Sequence, residues 1–523
     1  MISRIIVIGC FLLLLAAPFV FRPRRDPPPD DALRLIVITP HNEQIRTEFA
    51  RAFDDWHQRT HGRRVNVIYN VPGGTSEIRK MLEAQFTAAL EAGREPGGGA
   101  DLVFGGGSYE HGRLKTGVRI ISGDQPRDEP ISAPVDFSQA WLEKIYGENA
   151  IGDGLLYDPD RHWFGTALSG FGIVYNRDVL AEIGVEEPMY WADLCDERLR
   201  GWVALVNPGQ SGSITTAFEA ILQRRGWERG WQILRRAGAN ARYFSATSLK
   251  PPTDVSQGDA AMGVCIDFYG RYQSQAIRVA GGGDRVGYVD PPGVTTIDAD
   301  PISMLRGAPH PELAKRFIEF CLTEEGQALW QFRVDEPIDD GLGPEQFELR
   351  RMPVRRSMYE TWFDRLIDQV NPFAVASAAE HPDRNMRSFI AILFSAMAMD
   401  SHDELIAAWD AIVGHPAYPA GGEVVLAGDV DDRELKRMLE RFDAMPSIEA
   451  PGATRLSLET TAHLAEIREG WLKRSWADAR LWPVEANPRD EMRRRFAEFF
   501  RDNYRRIAAP AAATGPSPAP PGS

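Results

Sequence analysis

"LRLIVITPHNEQIRTEFARAFDDWHQRTHGRRVNVIYN", Leu33 to Asn70, holds the pattern on which the fold turns. Its opening run, LRLIVITP, is apolar and β-branched, as expected of a strand buried on both faces. Ile45, Phe49, Phe53 and Trp56 then recur at spacings of four and three, which places them on one stripe of a helix. "VNVIYN" returns to strand. Beyond it, "GGTSEIRKMLEAQFTAALEAG" opens a second helix capped by Thr75 or Ser76, and "ADLVFGGG" is a third strand ending in glycines. Strand, helix, strand, helix, strand in this order predicts a doubly wound α/β sheet with right-handed crossovers.

From Ile131 the pattern restarts. "HWFGTALSGFGIVYN" reads as paired strands, and "GWVALVNP" as a strand. "SGSITTAFEAILQRRG" is a capped helix, and "AAMGVCI" a further strand ending at Asp267, Phe268 and Tyr269. The divisions predicted are 33–130 for the first part of lobe 1, 131–286 for an inserted lobe 2, and 287–357 for the return to lobe 1. A helical C-terminal region follows over 358–509, and a disordered low-complexity tail over 510–523.

The N-terminus sets a different constraint. The uncharged run from Ile5 to Phe21 is about 17 residues, the lower limit for spanning a bilayer, so residues 1–25 read as an uncleaved anchor and 26–32 as a stiff Pro-rich spacer. Arg22, Arg24 and Arg25 after the run would keep the body cytoplasmic by the positive-inside rule, against the location implied below. A net charge of -15 with no clustered basic block argues against nucleic acid as a partner. Cys10, Cys195, Cys265 and Cys321 show no CxxC spacing and so define no disulfide framework.

Taken together, "LRLIVITPHNEQIRTEFARAF", "WFGTALSGFGIVYNRDVL", "PMYWADLCDERLRGWVALVNPGQSGS", "VSQGDAAMGVCIDFYGRY" and "DADPISMLRGAPHPELAKRFIEFCLTEEGQALW" resemble the extracellular solute-binding proteins of ABC importers. The likeness is to the ferric-iron-binding branch with its phosphosugar- and phosphonate-binding relatives, and it runs from about Leu33 to Trp409. It implies a two-lobed type II periplasmic-binding fold, each lobe a doubly wound sheet, that closes by hinge bending. The hinge strands it implies lie near Ile131 to Val135 and Gly287 to Pro301. It also implies a monomeric, non-enzymatic, periplasmic protein, tethered to the inner membrane by the N-terminal segment, that hands a small solute to an ABC permease. No cofactor is implied, ferric iron being at most the cargo.

In ferric-binding relatives two adjacent tyrosines from the segment matching "IDFYGRY" hold the metal, commonly with a histidine near the first strand. Here Phe268 takes the first of those positions and Tyr269 the second. An iron site would therefore need Tyr269, His41 and Asp267 together. Asp267 could equally accept hydrogen bonds from a sugar hydroxyl. His41 reads either as a ligand contact or as a packed residue at a helix start. "PGGTSE" (Gly73, Gly74, Thr75, Ser76) and "GQSGSIT" (Ser211, Gly212, Ser213) each lead a loop into a helix, with hydroxyls and free N–H groups suited to an anion. Simple capping is the plainer reading of either one alone. Ser169 and Gly170 in "SGFG" add backbone contacts.

Catalytic patterns are missing their parts. "GQSGS" around Ser211 approaches the nucleophile-elbow pattern, but Ser213 stands where its last glycine belongs. A rival to the import function is a membrane-tethered sensory or scaffolding protein that signals through its C-terminal region. On that reading, deleting the residues beyond Gly421 should remove a partner interaction and leave solute affinity intact.

Overall fold

The computed structural model describes residues 31–509 except 123–124, 153, 295, 335–341, 377–385, 420, 422–423, 450–454 and 468–487. The N-terminal anchor segment, all but the end of the Pro-rich spacer, Cys10 and the C-terminal tail lie outside the described residues. No described helix is long and apolar enough to cross a membrane.

In chain order the strands are β1 (Leu33–Ile38), β2 (Val65–Asn70), β3 (Leu102–Phe104), β4 (Val118–Ser122), β5 (Gln125–Glu129), β6 (Ser132–Ala133), β7 (Phe164–Ser169) and β8 (Phe171–Asn176). There follow β9 (Val203–Val206), β10 (Ala241–Ser245), β11 (Met262–Ile266), β12 (Val286–Val289), β13 (Asp298–Leu305), β14 (Met352–Pro353), β15 (Ser447–Glu449) and β16 (Arg455–Ser457). One sheet runs β14-β7-β13-β3-β1-β2 with β6 added beside β13. The other runs β10-β9-β11-β8-β12. Each is parallel where helices connect its strands, as in β1 with β2 and β9 with β10, and antiparallel where the chain passes between lobes.

The sheets correct two sequence expectations. β7 and β8 do not pair with each other: β7 pairs with β13 and β14 in the first sheet, and β8 with β11 and β12 in the second. Only Gly170 separates them, so the chain changes lobe there and not at Ile131 to Val135. Residues 131–169, including helix Gln139–Tyr146, therefore belong with lobe 1. The return passes between β12 and β13.

Helix Glu43–His61 shows why the apolar stripe matters. Phe49 and Phe53 are fully buried and meet Phe104, Phe317 and Trp330 at ring-centroid distances of 5.3, 4.9 and 4.5 Å. Each such side chain contributes on the order of 1.5–3 kcal/mol on burial. Asn42 caps the helix by accepting the Ile45 N–H, which fixes the residues just before it at the carboxyl end of β1. Cys195, Cys265 and Cys321 are buried free thiols, so among the described residues the cysteines serve as small apolar core groups.

The C-terminal region is not a module apart. Residues 342–366 pack on lobe 1, where β14 joins β7, whereas helices Arg387–Phe394, His402–Val413, Arg433–Asp443 and Pro488–Ala508 cover the lobe 2 helices Gly212–Arg225 and Trp227–Ala239. Arg236 is fully buried and donates to both Asp443 carboxylate oxygens, at 2.7 and 3.0 Å, and to the Val425 carbonyl at 2.9 Å. Trp409 Nε1 donates to Asn240 Oδ1 at 3.0 Å, and Trp227 Nε1 to the Leu458 carbonyl at 2.7 Å. Described residues beyond Gly421, among them Val425, Asp443 and Leu458, thus complete the core of lobe 2, and the expectation that this part can be removed without harm to the rest runs against the packing.

Candidate functional site

Between the lobes lies a cavity of about 360 Å³, in the size range of small-molecule sites. Lobe 1 contributes the loop after β1, with His41, Glu43 and Arg46, and the start of helix Thr75–Glu91, with Gly73, Gly74 and Thr75. Lobe 2 contributes Ser211 and Ser213, the loop Ala246 to Leu249, and Ile266, Phe268 and Tyr269 from the end of β11. Asp300 of β13 and Arg351 complete the lining.

The two helix starts face one another directly. Thr75 Oγ1 accepts the Gly212 N–H at 3.2 Å, Lys80 Nζ donates to the Gly209 carbonyl at 3.1 Å, and Gln210 Nε2 reaches Glu77 Oε1 at 3.4 Å. A Cβ placed on Gly74 would sit 2.8 Å from the Gln210 carbonyl oxygen, so only glycine lets the two loops approach this closely. Hydroxyls crowd the lobe 2 side, where Ser211 and Ser248 are hydrogen-bonded at 3.1 Å.

Arg351 dominates the electrostatics. It is 4% exposed, forms an ion pair with Asp300, donates to Ser169 Oγ at 2.6 Å, and lies 3.0 Å from His41 Nε2. Its guanidinium also covers the Phe268 ring at 4.3 Å. Asp300 Oδ1 accepts the Gly106 N–H at 2.6 Å, while Oδ2 lies 3.0 Å from His41 Nε2. Burial, together with the neighbouring Arg351 and Arg46 charges, holds the His41 imidazole well below its ordinary range, so it is neutral. Gly105, at φ 98°, makes room for that ring: a Cβ there would lie 2.5 Å from His41 Nε2. Burial pushes the Tyr269 phenol up to about 12, against the opposing pull of Arg351, which keeps it protonated.

Of the residues singled out from the sequence, His41, Gly73, Gly74, Thr75, Ser211, Ser213 and Tyr269 line the cavity together. The others stand outside the lining, each for a local reason. Asp267 is fully buried, its Oδ1 accepts the Phe268 N–H, and its Oδ2 lies 3.6 Å from Arg271 Nη1. Ser76 donates to Glu110 Oε1 at 2.8 Å, and Gly170 uses its carbonyl to accept the Asp267 N–H at 3.1 Å. Gly212 is committed to Thr75, and Ser169 reaches the cleft only through Arg351. Arg351, Asp300 and Arg46 were missed. An acid inside the apolar strand of "DADPISML" was the available signal, because a buried carboxylate requires a partner.

Residues 127–338 match the family of bacterial extracellular solute-binding proteins. Over 163 residues the chain is 30% identical to an uncharacterized protein of Haemophilus influenzae, a match covering 31% of this chain and 45% of that one. Over 164 residues it is 26% identical to the phosphoglycerate transport regulatory protein PgtC of Salmonella typhimurium, covering 31% and 39%. These matches span less than half the length of either curated relative. Among solved structures, the substrate binding protein of an ABC transporter from Agrobacterium tumefaciens aligns with a TM-score of 0.51 at 18% identity, over 72% of this chain and 95% of that one. The fold is therefore that of the type II periplasmic solute-binding proteins, with its family match centred on the second lobe and the hinge.

Proposed function

We propose that this protein captures a small organic anion bearing hydroxyl groups, phosphorylated or phosphonate-bearing, between its lobes and delivers it to a membrane permease of the ABC type, outside the cytoplasm. The observation that carries this reading is the buried Arg351 guanidinium in the cleft, lying over Phe268 at the first of the two positions that the family likeness gives to iron-binding phenols. A fixed cation there favours an anion over a trivalent metal. The donor set points the same way: Phe268 supplies no phenol beside Tyr269, Asp267 faces Arg271, and no cluster of three or more His, Cys, Asp or Glu suited to a metal occurs among the described residues. Serine and threonine hydroxyls around the two helix starts suit a polyol phosphate.

The full chain, titrated with sn-glycerol 3-phosphate, inorganic phosphate and ferric citrate, tests the choice by thermal shift and by absorbance. Stabilisation by an organophosphate without a phenolate-to-iron band supports the proposal, and about a fivefold to tenfold weaker affinity is expected for Tyr269→Phe, the value of one neutral hydrogen bond. A coloured ferric complex lost in Tyr269→Phe would establish iron as the cargo.

A second reading, in which solute capture serves regulation, draws support from the Salmonella relative, a transport regulatory protein, and from the C-terminal helices that enlarge lobe 2.

A further inference from the structure

We propose that Arg350 is the positioning residue that aligns the two solute contacts, Arg351 of lobe 1 and Tyr269 of lobe 2, by tying their supporting elements together across the hinge side of the cleft. The inference rests on the reading that Arg351 receives the solute anion.

Arg350 has φ 58°, in the left-handed region that side chains other than glycine rarely enter, and Arg161 is the one other such residue among those described. Strain of this kind persists where surrounding contacts over-determine the backbone. Arg350 meets that condition. Its Nε donates to Asp368 Oδ2 at 3.1 Å, and its Nη2 is paired with Asp368 Oδ1. Its Nη1 donates to the Arg271 carbonyl at 3.1 Å and to Gln275 Oε1 at 3.0 Å. Asp368 is in turn fixed to lobe 1, where Gln331 donates to its Oδ2 at 3.2 Å and accepts its N–H at 2.9 Å. Arg271 and Gln275 lie on the lobe 2 helix Asp267–Ile277, whose first turn presents Tyr269 to the cavity. Arg271 also binds Asp290 at 2.6 Å, in the segment that returns the chain to lobe 1.

The backbone geometry explains how consecutive arginines serve opposite ends. In an extended strand neighbouring side chains alternate faces with fixed spacing. A left-handed residue breaks that regularity, so that Arg350 reaches Asp368 and the lobe 2 helix while Arg351 enters the cleft to meet Asp300 and Ser169. The same side chain therefore fixes the segment bearing Arg351 from one side and the helix bearing Tyr269 from the other.

A double-mutant cycle on the full chain separates positioning from general support, with sn-glycerol 3-phosphate as the probe and calorimetry as the readout. Glycine accepts φ 58° without strain, so Arg350→Gly deletes the side chain while permitting the backbone; about tenfold weaker binding is expected, the worth of a charge-assisted contact. In an Arg351→Met background the same change should cost clearly less, about threefold, because the part of its effect that passes through Arg351 is gone and only the alignment of Tyr269 remains. Arg350→Lys, which keeps the charge but lacks the fork, should bind more tightly than Arg350→Gly. Equal losses in both backgrounds, or wild-type affinity in Arg350→Gly, would overturn the inference while leaving Arg351 as the anion contact. Failure of Arg351→Met to weaken binding, or of the wild type to bind the probe, would overturn the functional reading and this inference with it.

Discussion

Replacing Arg351 by methionine exposes the logic of the cleft. The side chain is 4% exposed and its partner Asp300 is 2% exposed, so the substitution strands a nearly buried carboxylate at the wall of the cleft. Asp300 would keep the Gly106 N–H on Oδ1, but on Oδ2 only the His41 ring. Removing one member of a buried pair costs about 3–5 kcal/mol. Folding stability of Arg351→Met, measured by urea denaturation without solute at pH 7, should fall by that amount. Adding Asp300→Asn removes the stranded charge, and the double variant should recover about 1–3 kcal/mol through the coupling between the two sites. Solute affinity should behave differently, dropping roughly 10- to 150-fold in both variants, because the lost charge-assisted contact of about 1.5–3 kcal/mol is not restored. Additive stability effects would refute the ion-pair argument, and wild-type affinity in the double variant would refute the role of Arg351 in binding.

Three further outcomes follow from buried groups elsewhere. Burial raises the Asp267 carboxyl to about 6, against the pull of Arg271, so the native state holds this proton more tightly than the unfolded chain does. Its contribution is therefore fully present below the ordinary carboxylate range and is lost as pH rises through about 6, by about 3 kcal/mol in total. Stability measured between pH 4 and pH 7 should show this fall in the wild type and not in Asp267→Asn; parallel curves would count against it. In the C-terminal region, Asp443→Asn leaves the fully buried Arg236 without its charge partner and should destabilise lobe 2 by about 3–5 kcal/mol, read as a lowered melting temperature. Deletion of everything beyond Gly421 should abolish solute binding by unfolding that lobe, and a soluble truncated protein with native affinity would disprove its place in the core.

Local pattern made some of this legible and long-range pairing hid the rest. β1, β2 and β3 with their intervening helices followed from apolar spacing alone, because each element's burial is written in its own residues. The change of lobe at Gly170 was hidden, since two strands one residue apart read as a hairpin until the pairing of β7 with β13 is known. His41, Thr75, Ser211 and Tyr269 were recognisable as strand ends and helix starts, the positions where a doubly wound sheet meets its ligand. Arg351 was not, because an arginine in "LRRMP" carries no mark of burial before Asp300 is placed beside it. Asp267 was misread although the correcting signal was local: Arg271 stands four residues on, and a helix beginning at Asp267 sets the two on one face.

The interleaving of the two lobes along the chain constrains the order in which they can be completed. Lobe 1 takes its strands from the beginning of the described chain and again from β13 and β14, while lobe 2 waits for Val425, Asp443 and Leu458 to satisfy Arg236 and Trp227. During synthesis the second lobe therefore emerges with an unpaired guanidinium and an open apolar face, and it reaches its final packing only after the chain through Leu458 has been made. A ribosome-bound chain stopped near Gly421 would present a finished first lobe beside an unfinished second one. On the proposed reading, a solute held between the lobes needs both of them, so a chain stopped short of Leu458 is expected to lack the site.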